Sequence, residues 1–247
     1  MNSASRIRVA TYNIHKCRGM DRRTKPDRIA EVIRELDADV IALQEVVNVA
    51  GKPDFDQARY IADAFDDYSW RFGETRPLHG GQYGNMTLSR FPIRFCRNYD
   101  VTSRGRERRG CLRVDVDVAG RALLLHVFNV HLGTGFMERR HQARLLLSPD
   151  LLQHTALTGP RVIVGDFNEW TRGLTSRMMT DNFESIDPRL FLRHARTYPG
   201  LIPFLHLDHF YFDKLLTLKD FKLHRSRKAL IASDHLPLVA DFALPGA

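Results

Sequence analysis

This 247-residue chain has little cysteine, no long hydrophobic run and a shortage of negative charge. Its three cysteines, Cys17, Cys96 and Cys111, are odd in number and lack metal-ligand spacing. A disulfide framework is therefore excluded as the main source of stability, and a reducing, cytoplasmic location is expected. No run of about 18 apolar residues occurs, so no transmembrane helix is expected. The opening MNSASRIRVATYNI lacks an apolar leader core, so no secretory signal is expected. With 16 Gly and 11 Pro, the chain is not collagenous or low in complexity. A hydrophobic fraction of 43% is too high for disorder.

The charge that is present is unevenly placed. Lys and Arg number 37 against 29 Asp and Glu, a net charge of +8. Residues 1–28 hold eight basic residues against two acidic ones, and residues 104–113 (RGRERRGCLR) hold five against one. Residues 219–228 (KDFKLHRSRK) repeat that ratio. Such clusters suit an anionic partner or a plain solvated basic surface.

Apolar segments recur to the end without an internal repeat or linker, so a single domain over 1–247 is expected. RIRVATYNI (6–14), DVIALQEV (39–46) and RVIV (161–164) read as strands. PDRIAEVIREL (26–36) reads as a helix, with Pro at its first position and Ile29, Ile33 and Leu36 on one face. DFDQARYIADAF (54–65) is a second helix. SWRFGE, GNMTLSR, FCRNYDV, CLRVDVDV and ALLLHVFNV are strand candidates. Val114, Val116 and Val118 alternate with Asp115 and Asp117, which predicts a face toward water. Gly120-Arg121 suits a hairpin turn. FMERRHQARLLL is a covering helix, and Pro149 should kink or split it. LDHFYF (207–212) and LPLVADF (236–242) are further strands. The class is α/β, with two packed sheets or one large mixed sheet.

Polar residues gather at the ends of these strands: Asn13, Gln44-Glu45, Asn129, His131, Asp166, Asn168, Asp208 and Asp234-His235. Singly, each has a structural explanation: a backbone tie for Asn13, an edge ion pair for Glu45, an Asx-turn for Asp166 and Asn168. Together they form an oxygen-rich set without cysteine, which suits Mg²⁺ or Mn²⁺. Asp166 and Asn168, two apart, would point the same way on an extended backbone. Asp234 and His235 would point apart, one toward a metal and one toward a phosphate. These are parts for metal-assisted phosphoester hydrolysis. The remaining histidines show no zinc spacing, although His15 lies just past Asn13.

TYNI, LQE, NVHL, GDFN, LDHFYF and SDHLPL occur in that order along nearly the whole chain. In this the chain resembles the endonuclease/exonuclease/phosphatase superfamily of DNase I-like phosphoesterases. The resemblance implies a four-layer α/β/β/α sandwich of two mixed β-sheets flanked by helices. It implies Mg²⁺-dependent hydrolysis, with Mn²⁺ a substitute, by in-line attack of water on phosphorus. Carried over, Glu45 is the principal metal ligand, with Asn13 and Asp234 in or beside the metal shell. Asp166 orients and deprotonates the water, assisted by Asn168. His235, held by Asp208, binds the scissile phosphate as imidazolium. His131 contacts the phosphate or assists leaving-group protonation. GNMTLSRFPI, RRGCLRVDV and TYPGLIPFLHLDHFYF resemble a bacterial subgroup related to sphingomyelinase-like and deadenylase-like members, and there Asn85 and Arg109 touch substrate. Abasic-site endonucleases show Asn-x-Asn-Gly where this chain has Asn13-Ile14-His15-Lys16, which points away from DNA repair. The expected partner is a phosphoester, with nucleic acid a candidate, and the expected state is a monomer. A sphingomyelinase-like or inositol-phosphate-like phosphoesterase and a non-catalytic anion-binding module remain open alternatives.

Overall fold

Central strands covered on both faces must be apolar on both faces, whereas edge strands can alternate. That distinction organises the protein. The computed structural model describes residues 6–52, 54–118, 124–170, 173–186, 197–198 and 206–244. In chain order, β1 is Arg6–Asn13, α1 Pro26–Leu36, β2 Val40–Asn48, α2 Gln57–Asp63, β3 Ser69–Leu78 and β4 Gly81–Ser89. Next come β5 Ile93–Asp100, β6 Gly110–Val116, β7 Leu125–His131, α3 Phe136–Leu146 and β8 Arg161–Asp166. Then follow α4 Leu174–Thr180, β9 Glu184–Ser185, β10 Asp208–Phe212, β11 Thr217–Leu223 and β12 Leu238–Ala243.

The strands form two six-stranded sheets, ordered β11-β12-β1-β2-β4-β3 and β5-β6-β7-β8-β10-β9. Both are mixed. β1 runs parallel to β2, and β7 runs parallel to β8. The other named pairs are antiparallel. This is the two-sheet alternative, with the DNase I-like layering.

Period-two alternation sorts the side chains into layers. Ile7, Val9, Val40 and Ala42 of the first sheet meet Val114, Val127, Val162, Val164 and Phe210 of the second. Their neighbours Ala10, Tyr12, Ile41 and Leu43 point outward onto Ile29, Ile33 and Leu36 of α1 and Ile61 of α2. Phe128, Val130, Ile163 and Tyr211 point outward from the second sheet onto Leu146 of α3 and Met179 of α4. Each buried Val, Leu, Ile, Phe or Met among them contributes about 1.5–3 kcal/mol.

A polar tie also crosses between the sheets. Gln44 Nε2 donates to Asn129 Oδ1 at 2.8 Å, and Asn129 Nδ2 donates to Leu43 O and Met86 O. Gln44 and Asn129 therefore join the two sheets.

Two expectations meet the structure differently. Asp115 does not face water: Arg113 neutralises it and His126 Nδ1 donates to it, and β6 is buried along its whole length. α3 is a covering helix and stops at Leu146, before Pro149, because a residue ahead of proline is pushed out of helical backbone. The proposed Gly120-Arg121 turn lies outside the described residues.

Candidate active site

Strand direction alone gathers the sequence motifs on one rim. β1 and β2 run parallel, and Asn13 at the end of β1 pairs with Gln44. β7 and β8 run parallel and end at the pair His131 and Asp166. β10 is antiparallel to β8, so its first residue, Asp208, pairs with Asp166. β12 is antiparallel to β1, so the segment before it returns to the same place. There Ser233 Oγ donates to Asn13 O at 2.8 Å. Carboxyl ends of parallel strands are where α/β folds build their sites.

Local backbone then aims the side chains. The β2–β4 register shifts between Leu43 and Val46, and Glu45 takes φ 58°. A bulge of this kind turns a side chain out of the strand alternation. Gly165 has φ +141°, and a Cβ there would lie 1.9 Å from Val130 O, so GDFN requires its glycine. Asn168 has φ 50°, and its N–H donates to Asp166 Oδ1 at 2.8 Å. The expectation that Asp166 and Asn168 point the same way from an extended strand is thus corrected. The chain turns at that point, and Asn168 Nδ2 instead donates to Leu132 O at 2.9 Å.

Asp166 is the hub. Its Oδ2 accepts from Asn13 Nδ2 at 3.0 Å and lies 3.7 Å from both His131 Nε2 and His235 Nε2. Asn13 Nδ2 also reaches Glu45 Oε1 at 3.3 Å, and Asn13 Oδ1 accepts from His15 N at 3.0 Å. His235 Nδ1 donates to Asp208 Oδ2 at 2.9 Å. Asp234 stands on the other side, 3.3 Å from His15 Nδ1. Arg109 Nη1 lies 3.2 Å from His131 Nε2, while Nη2 donates to Glu107.

The structure therefore brings together Asn13, Glu45, Arg109, His131, Asp166, Asn168, Asp208, Asp234 and His235. Asn85 differs: it is buried, and its Nδ2 donates to Gly110 O and Asn129 O, both at 3.2 Å, so it ties the sheets. Of the basic 104–113 stretch, Arg109 reaches the site, Arg104, Arg106 and Arg108 are exposed, and Arg113 is buried on Asp115. Two neighbours were not anticipated. Lys16 Nζ contacts Glu45 Oε2, and the Tyr198 ring lies 5.0 Å from that of His235. The signal for Lys16 was its place three residues after Asn13.

Electrostatics separates the two histidines. Burial opposes charge on His235, but Asp208, with Asp166 and Asp234, raises it to about 10. Burial and the Arg109 charge lower His131 to about 3. At neutral pH His235 is an imidazolium and His131 a neutral ring. Burial, with Asp208 nearby, raises Asp166 to about 7, although His235 and the Asn168 and Asn13 hydrogen bonds pull it down. Burial opposes ionisation of Glu45, but neighbouring positive charge, with the Lys16 ammonium in direct contact, outweighs it and holds the carboxyl at about 2. Paired titratable groups driven apart in this way mark acid and base roles.

The chain matches the Endonuclease/Exonuclease/phosphatase family over residues 10–235. The chain belongs to that family. Among family relatives and neighbours, the uncharacterized protein YbhP of Escherichia coli strain K12 is 32% identical, over 96% of each chain. An endonuclease/exonuclease/phosphatase from Beutenbergia cavernae superposes with a TM-score of 0.77 at 26% identity, covering 98% of this chain and 72% of its own. A mannosyl-6-phosphatase from Bacteroides thetaiotaomicron superposes with a TM-score of 0.77 at 16% identity, covering 96% of this chain and 100% of its own. At that identity the likeness is one of fold. Among the described residues no helix is long and apolar enough to cross a membrane.

Proposed function

We propose that this family member is a divalent-cation-dependent phosphoester hydrolase in which water attacks phosphorus in line with the leaving oxygen. The observation that carries this reading is the position of Asp166, a carboxylate raised to about 7 and flanked at 3.7 Å by one charged and one neutral histidine. A general base works best with a pKa near the working pH. Asp166 Oδ2 takes the proton of the attacking water, and Asn13 and Asn168 fix its orientation. The His235 imidazolium binds a non-bridging phosphoryl oxygen and is held by Asp208. Arg109 supplies a second positive group beside His131. The His131 ring, neutral at rest, hydrogen-bonds the leaving oxygen.

The donor set fits Mg²⁺ or Mn²⁺. Among the described residues no three His, Cys, Asp or Glu side chains converge as a ready metal cage. Mg²⁺ is commonly bound by one or two carboxylates, with waters and substrate phosphate completing its shell. Glu45, ionised and aimed by its bulge, is that carboxylate, with Asn13 and Asp234 alongside. A cation there would neutralise charge developing on the phosphoryl and leaving oxygens. Asn85 acts on substrate only indirectly, by holding the sheets that carry the site. The enzyme acts as a monomeric single domain in the reducing cytoplasm. Its three cysteines are free.

The test is a panel of single- and double-stranded DNA, RNA, sphingomyelin, inositol phosphates, sugar phosphates and a bis-aryl phosphate, run with Mg²⁺ or Mn²⁺ and with EDTA. Turnover that needs the cation supports the reading. A folded protein that hydrolyses none of them, or hydrolyses equally well in EDTA, refutes it.

A further inference from the structure

Lys16 is placed with unusual backbone effort. After β1 the chain makes a tight turn in which His15, Lys16 and Cys17 take φ 45°, 57° and 55°. Left-handed backbone at three successive non-glycine residues persists only where surrounding structure enforces it. Here Cys17 is buried, Cys17 N donates to Ile14 O at 2.8 Å, and Gln57 Nε2 donates to Lys16 O at 2.7 Å. The turn delivers the Lys16 ammonium to Glu45 Oε2, while Oε1 receives Asn13 Nδ2. Glu45 meets it from a left-handed position of its own, φ 58°. Two strained segments therefore converge on one ion pair.

The carboxylate to which the proposed function assigns a divalent cation thus already carries a cation of the chain's own. An ammonium and a divalent ion on the same carboxylate repel strongly in a partly buried site. The residue type matters as well. In a chain with 7 Lys and 30 Arg, this position holds Lys. An ammonium makes a point contact that is easily given up, whereas a guanidinium fork can clamp both carboxylate oxygens.

We propose that Lys16 is a tethered competitor for the divalent cation at Glu45, neutralising the carboxylate when no metal is bound and displaced when metal binds. The inference rests on the metal-dependent reading above and adds a cost to metal uptake. Apparent affinity falls by the fraction of molecules with the site free of Lys16. The test is calorimetric titration of Mn²⁺ into the full-length wild type, Lys16→Met, Lys16→Arg and Glu45→Gln, with melting curves to confirm that each is folded. Lys16→Met should bind Mn²⁺ about tenfold more tightly, and Lys16→Arg more weakly than wild type. Unchanged or weaker binding in Lys16→Met overturns the proposal, as does equal affinity for Lys16→Arg and wild type, since through-space charge alone predicts that equality. In wild type labelled with ¹⁵N at the lysine ammonium groups, saturating Mg²⁺ should shift the Lys16 resonance, and an unmoved resonance also overturns the proposal. A wild type that takes up no Mn²⁺, or takes it up equally well as Glu45→Gln, overturns the metal assignment at Glu45 and this inference with it. Binding lost in Glu45→Gln but not tightened in Lys16→Met overturns this inference alone.

Discussion

Two aspartates of the second sheet, Asp115 on β6 and Asp208 on β10, each hold a buried histidine, and the two pairs have opposite characters. Near the start of β7, His126 Nδ1 donates to Asp115 Oδ1 at 2.7 Å. Arg113 adds two donors to the same carboxylate, at 2.8 and 2.6 Å, and Gly159 N donates to His126 Nε2 at 3.3 Å. Every group in that cluster is answered from within the chain. Five residues along β7, about 17 Å away, His131 and its neighbours mark the other end of the sheet. There His235 Nδ1 donates to Asp208 at 2.9 Å, but His235 Nε2 faces Asp166 at 3.7 Å, too far for a hydrogen bond. Among the described residues no arginine closes this pair. A buried Asp–His pair is therefore no mark of function by itself. What matters is whether its charge is consumed locally or aimed at a cleft.

Four experiments press on that contrast. The largest effect is expected in turnover. His235→Gln and Asp166→Asn should each lower kcat/KM on a responsive phosphoester by about three orders of magnitude. His126→Gln should leave activity per folded molecule within a few fold. Comparable losses at His126 and His235 would erase the distinction.

Stability should reverse the order. Asp115→Asn leaves Arg113 without its buried partner and should cost about 3–5 kcal/mol in urea unfolding. The pH dependence fixes the sign. Burial opposes charge on Asp115, but His126 and Arg113 outweigh it and hold its pKa below the ordinary carboxylate value. Its contribution is therefore full above the unfolded value and lost as pH falls through the lowered one. The wild-type advantage over Asp115→Asn should shrink in acid.

Asp166 should behave oppositely. Its pKa, raised to about 7, makes the folded protein favour the protonated form. That contribution is full below the unfolded carboxylate value and is lost as pH rises toward 7. In EDTA at pH 8, Asp166→Asn should therefore be more stable than wild type by roughly 1–3 kcal/mol, and the gain should vanish near pH 4. A variant less stable at pH 8 would show that Asp166 is a structural carboxylate like Asp115.

The smallest effect concerns the alkaline limb of activity. Asp208 is the principal support of the His235 charge. In Asp208→Asn the fall in kcat/KM at high pH should move from about 10 toward the ordinary histidine value of 6.5. A limb that stays in place would mean that His235 does not act as the imidazolium.

Much of the site was legible because its residues end apolar strands, and strand ends are set by local pattern. Asn13, His131, Asp166 and Asp208 fall at the ends or starts of β1, β7, β8 and β10 as the hydrophobic runs indicate. Asp115 was misread because alternating Val and Asp has the pattern of a half-exposed strand. The donors that make Asp115 burial tolerable come from Arg113 on the same face and from His126 on the neighbouring strand. At Asp166–Asn168 the sequence allowed either an Asx-turn or a continued strand, and the turn is what forms. Asn85 and Asn129 resemble substrate-facing amides in sequence, yet their hydrogen bonds join the two sheets.

By itself the sequence determined the α/β class, the strands and helices, the chemistry of the rim residues and their resemblance to a phosphoesterase family. Hydrophobic period and residue type are local properties, and an ordered set of motifs survives without knowledge of geometry. Only the tertiary structure decided which Asp–His pair faces the cleft, that His131 is neutral while His235 is charged, and that Lys16 stands on Glu45. Those outcomes depend on distances between residues far apart in the chain, such as Asn13 and Asp166, which are 153 positions apart. Burial and neighbouring charge set a group's protonation, and both exist only once the two sheets have packed.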